Sequence, residues 1–112
     1  MATKSNTATE LRNKIFNNIA REAVIDVMGI KIKYKQPTHA RLVELAKMGF
    51  DKRLNDDVFI MLMSCYDPDT DEQLFDYDDI DSMVNLSASF IISLATAQQE
   101  AFKVTTDDIE GN

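Results

Sequence analysis

Among the 112 residues there are one cysteine, one histidine, two prolines, three glycines and no tryptophan. A lone Cys65 excludes an internal disulfide and any zinc site that needs two thiolates. A lone His39 leaves little room for nucleophilic or metal chemistry. The sequence contains no GxGxxG, GxxxxGK[ST], HExxH or GxSxG. These absences point to a chain that is not an enzyme and that carries no cofactor or metal. Long apolar runs are missing too. The longest nearly unbroken one, Val58 to Tyr66, has nine residues, against about 20 for a membrane-spanning helix. No apolar stretch in residues 1–9 could serve as a secretory signal. The expected setting is therefore cytoplasmic, with no membrane contact.

Basic residues are nearly absent from the second half. Residues 1–55 hold eleven Lys/Arg and five Asp/Glu, whereas residues 56–112 hold Lys103 alone against fourteen acids. The net charge of −7 is thus the sum of a basic half and a strongly acidic half. An acidic balance argues against duplex nucleic acid as partner, because phosphate contacts need clustered Lys/Arg. It allows two copies to meet, the basic face of one against the acidic face of another. What is present is ordinary for a globular protein, 45% apolar and 28% charged.

The clearest local signal is a β-hairpin. Glu22-Ala-Val-Ile-Asp-Val27 and Ile30-Lys-Ile-Lys-Tyr-Lys35 flank Met28-Gly29. A two-residue turn there sets Val27 opposite Ile30, Ile25 opposite Ile32 and Ala23 opposite Tyr34 on one face. Asp26 then faces Lys31, Val24 faces Lys33 and Glu22 faces Lys35 on the other. A one-residue slip would bury lysines, so the pattern selects its own register. Before the hairpin, Thr9 is placed to cap a helix over residues 10–21 with Leu11, Ile15, Phe16 and Ile19 at helical spacing. After it, Pro37 ends the strand and Thr38 caps a helix to about Met48, stopped by Gly49, with Leu42, Leu45 and Ala46 inward. Asn55 caps a further helix that carries the apolar run to Tyr66 and stops at Pro68. A short helix after Asp78 buries Ile80, Met83 and Val84. Ser87 caps a last helix from Ala88 to about Val104, with Phe90, Ile91, Leu94, Ala95, Ala101 and Phe102 as its stripe.

These elements predict an α+β, predominantly α-helical fold, one N-terminal β-hairpin packed against about four or five helices. Residues 1–8 are expected to be mobile, 9–104 to form a single globular domain, and 105–112 to form a mobile acidic tail.

Two features carry candidate sites. Asp67-Pro-Asp-Thr-Asp-Glu-Gln-Leu resembles the opening of a calcium loop, with Asp67, Asp69 and Asp71 at alternate positions. Glu72 stands where a glycine is wanted and Asp78 where a longer Glu closes the cage, so a solvated acidic turn is the expected state. The helix over residues 58–66 is apolar nearly all round. Such a helix is either central in the core, its methionines plain filling, or left partly uncovered by a domain this small; on the second reading Met61, Met63 and Tyr66, beside Asp67, Asp69 and Asp71, are the candidate partner-binding residues. Cys65 reads as an inert buried thiol and His39 as a surface residue.

The order of these features resembles the tail assembly chaperones of long-tailed bacteriophages and prophages. In that family a V-x-V-x-G-x-x-V-x-V-R hairpin precedes a P-[ST]-x-x-E helix. A D-x-D-G-x-x-L-F turn and a D-[IV]-x-x-[LM] segment follow, before a closing helix. The matching residues here are Val24 to Tyr34, Pro37-Thr38, Asp67 to Phe75, and Asp79-Ile80 to Met83, within a likeness covering about residues 10–103. Glu72 replaces the family's turn glycine, and Arg41 stands where its capping-box acid often sits. The resemblance implies a non-catalytic factor that binds the apolar, helical tape measure protein, keeps it soluble and gathers tail tube subunits. It also implies a protein of the bacterial cytoplasm that is absent from the mature virion. Two other classes fit the same residues: an acidic DNA mimic that inhibits a nuclease or regulator, and a minor structural tail or connector subunit.

Overall fold

A computed structural model describes residues 2–103, with side chains from Thr7 onward. The expected acidic tail over 105–112 lies outside the described residues. The chain is α+β and predominantly helical. Helices α1 (Ala2–Phe16), α2 (His39–Met48), α3 (Asp56–Leu62), α4 (Ile80–Val84) and α5 (Ala88–Ala101) accompany strands β1 (Glu22–Val27), β2 (Ile30–Lys35) and β3 (Cys65–Tyr66). The strands form one antiparallel sheet in the order β1-β2-β3.

The hairpin has the register its sequence specifies, from Glu22 opposite Lys35 to Val27 opposite Ile30. Ile25, Val27, Ile32 and Tyr34 are buried on its inner face. Both turn residues have positive φ, 54° at Met28 and 86° at Gly29. That is the mirror-image turn that matches strand twist. Asp26 steadies it twice: its Oδ1 accepts from the Gly29 N–H at 2.8 Å, and its carboxylate pairs with Lys31 at 3.0 Å.

α5 packs across β1. Ser87 caps it by accepting from the Phe90 N–H, and Leu94 is fully buried beneath it. A side chain buried that completely contributes roughly 1.5–3 kcal/mol. The helix ends at Ala101, three residues short of the expected Val104. α3 begins at Asn55, whose side chain accepts from the Asp57 N–H. Asp76 and Asp79 form a reciprocal capping box that starts the 3₁₀ turn Tyr77–Asp79, which runs into α4. Ile80 and Met83 are buried as expected. The core gathers Val27, Leu45, Phe59, Leu62, Met63, Cys65, Met83 and Leu94.

Three expectations change. First, the chain leaves the helical path at Leu62, and Cys65-Tyr66 becomes the third strand, on the open edge of β2. Strand β2 has unpaired backbone groups on that edge, and pairing with β3 satisfies them, with Lys35 N–H also donating to Ser64 O at 3.0 Å. Second, Thr38 caps α2 and Gly49 ends it as expected, yet only Leu45 is buried; Leu42 and Ala46 are exposed. Third, Thr9 lies inside α1 rather than capping it, and the helix stops at Phe16. The described side chains of α1 are all exposed. The radius of gyration is 17.4 Å and the long axis 59 Å, where a compact chain of this length has a radius near 13 Å.

Met28→Asn is expected to stabilise the fold by on the order of 1 kcal/mol, because Asn tolerates positive φ better than Met. A urea midpoint that falls in the variant would show that the turn is not mirror-image.

Candidate functional site

The residues singled out from the sequence fall in two different environments. Met63 is fully buried and Met61 is 8% exposed. The bend after α3 turns this stretch inward, so the methionines are core rather than a free gripping face. Gln73 Nε2 reaches Met63 Sδ at 3.8 Å. Cys65 is buried beside them, and burial pushes its thiol up to about 12, which makes it inert at neutral pH.

Tyr66 and the acidic turn lie on the outer side of the sheet. The turn is a closed loop: Asp67 N–H donates to Glu72 O, Asp71 N–H donates to Asp67 O, and Tyr66 bridges to Gln73. Asp67 Oδ1 accepts from the amides of Asp69 and Thr70, which spends it locally. Asp71, at φ 66°, points back over the sheet and pairs with Lys33 at 3.0 Å and Lys35 at 2.9 Å. Lys35 Nζ also sits 4.3 Å from the centre of the Tyr66 ring, and Lys33 pairs with Glu22. The Asp71 carboxyl is held below the usual range by hydrogen bonds from the two lysines, and its partner Lys33 is pushed up. The basic and acidic halves therefore meet inside one chain here. Among the described residues no three metal-ligating side chains converge.

A clamp that the sequence reading did not weigh lies next to this turn. The Arg41 guanidinium donates to Gln73 Oε1 at 2.8 Å and to Met63 O at 3.5 Å, tying α2 to the loop before and after β3. In the sequence Arg41 is an ordinary base in the first turn of α2, and nothing there points to Gln73 or Met63. A second clamp, Arg53, grips Asp51 through two nitrogens and Asp81 at 2.9 Å.

The exposed apolar surface lies elsewhere. On α1, Leu11, Ile15 and Phe16 are 55–65% exposed, followed by Ile19 in the connector. Leu11 and Ile15 fall on one side of the helix, four residues apart, with Ala8 three residues before Leu11. Arg12 lies over the Phe16 ring at 5.0 Å. On the body, α3 and α5 frame an open apolar groove of about 300 Å³. Val58, Ile60, Met61, Ile91, Ile92 and Ala95 line it, and Ile92 is 65% exposed. Met61 thus keeps one edge on a surface, at the floor of this groove. A larger cleft of about 1000 Å³ lies beneath the connector, beside Tyr34, Gln36 and Phe102. No described helix is long and apolar enough to cross a membrane by itself.

Comparison with known family models, curated proteins and solved structures finds no match to this chain.

Met63→Ala should cost about 2–5 kcal/mol in denaturant unfolding, as expected for a buried methionine. A loss under about 0.5 kcal/mol would place Met63 outside the core. Asp71→Asn keeps the positive-φ backbone while removing the charge. It should speed amide exchange through residues 67–74. In the parent chain, that protection holds above the ordinary carboxyl range and is lost as pH falls through the depressed Asp71 pKa. Identical exchange in the two proteins across that range would show that the ion pairs do not hold the turn.

Proposed function

We propose that the chain is a non-catalytic binding factor that holds apolar helical segments of another polypeptide, as a phage tail assembly chaperone holds the tape measure protein. The observation that carries this reading is the unpartnered seam of Leu11 and Ile15 on a helix standing clear of the core, with an apolar groove on the body. A 15-residue helix is marginal alone in water and gains stability by burying its apolar side. The order of motifs from the hairpin to the closing helix supplies the particular class, with tape measure protein and tail tube protein as partners in the bacterial cytoplasm. The acidic turn keeps a loaded complex soluble.

The DNA-mimic reading is weaker on geometry. Asp71 pairs with two lysines and Asp81 shares Arg53 with Asp51, so part of the acidic half is not displayed as free charge.

The test is co-expression with a tape measure fragment. The parent chain should keep the fragment in the supernatant, and Leu11→Ser with Ile15→Ser should reduce the soluble yield several-fold while the variant itself still unfolds in one cooperative transition. A fragment that precipitates equally with and without the chain would refute the proposal.

A further inference from the structure

In the absence of a client, the exposed seam and the exposed groove belong to the same molecule type and complement each other. We infer that α1 of one copy lies in the α3–α5 groove of a second copy, with the exchange reciprocated. The apolar seam Leu11 and Ile15 covers the groove floor at Met61 and its rim at Ile92. Charge favours the match. α1 carries three bases and one acid, and the one charged residue among the described residues that line the groove is an acid. Asp57 stands on the groove wall, and Arg12 and Lys14 have no carboxylate partner among the described residues.

The root of the arm favours a second copy over the chain's own groove. Arg21 exchanges two 2.8 Å hydrogen bonds with Gln36, and its guanidinium donates to Phe102 O at 3.2 Å. It also lies 5.6 Å from the Phe102 ring centre. At the other end, Asn17 and Asn18 donate back into the last turn of α1. Only Ile19 and Ala20 lie between these anchors, and the described side chains of α1 stay exposed rather than entering the chain's own groove. A 15-residue helix is about 22 Å long. One such contact is small beside the roughly 1,600 Å² of a standard interface, and a two-fold exchange doubles it. This assembly needs no client, so its test is separate from that of the chaperone reading.

The experiment uses the full chain with Ile15→Cys or Ile92→Cys and a short bismaleimide linker. The Cys65 thiol is buried and does not compete. Mixing the two separately purified variants should give a covalent dimer that needs both, whereas either alone should give none. The Ile15→Cys, Ile92→Cys double variant should also cross-link between copies, giving dimer mass in denaturing gels. Ile15→Asp should bring the light-scattering mass down to that of a monomer that still unfolds in one cooperative transition, with a thermal midpoint equal to that of the parent chain diluted until it too is monomeric. Cross-linked monomer would mean that the arm folds onto its own groove. Dimer from Ile15→Cys alone would mean that arms pair with arms. Either result, or no cross-link at all, overturns the inference.

Discussion

The pairing of Cys65-Tyr66 with the open edge of β2 decides where everything else goes. It sets Cys65 opposite Tyr34 on the inner face and Tyr66 opposite Lys33 on the outer one. The inner consequence is that the segment after α3 is drawn into the core, taking Met63 with it. The outer consequence is that the acidic turn following Tyr66 lies directly over the lysines of β2. Asp71 can then pair with Lys33 and Lys35, and Arg41 can grip Gln73. Without this short strand the hairpin edge would be bare, and the acidic turn would have no fixed place.

Once the core is closed in this way, α1 has no role in it. Among the described residues, every buried apolar side chain of the core comes from Ile25 onward. The helix therefore shows to solvent a seam that a globular protein would bury. The same closure leaves Ile92 and its neighbours uncovered between α3 and α5. These two surfaces, rather than the methionine-rich segment, are where a polypeptide partner gains most by docking. An exposed apolar helix on an acidic body is what the proposed holding of apolar helices requires.

The hairpin was legible in the sequence to the residue, because apolar pairing and charge pairing both demand one register and the Met28-Gly29 turn supplies it. The caps at Thr38, Asn55 and Ser87 were legible for the same local reason: each needs only a side-chain oxygen and the next turn's amides. β3 was not legible. The run from Val58 to Tyr66 has no period that separates a buried helix from a buried strand, and what ends the helix at Leu62 is an edge contributed by residues 30 positions earlier. The location of the exposed surface was hidden for a related reason. Helical spacing shows that Leu11 and Ile15 share a side, but not whether anything covers it. The Arg41 and Asp71 contacts depend on where β3 sits, so they could not be read before that strand was known.

The central claim is that the fold closes without α1 and leaves that helix for another polypeptide. Removing residues 1–16 tests it most directly, with urea unfolding followed by circular dichroism at a protein concentration where the full chain is monomeric. The account predicts an unfolding free energy within about 0.5 kcal/mol of the full chain, the range of a surface change. A loss of several kcal/mol would show that α1 belongs to the core, and would contradict the account.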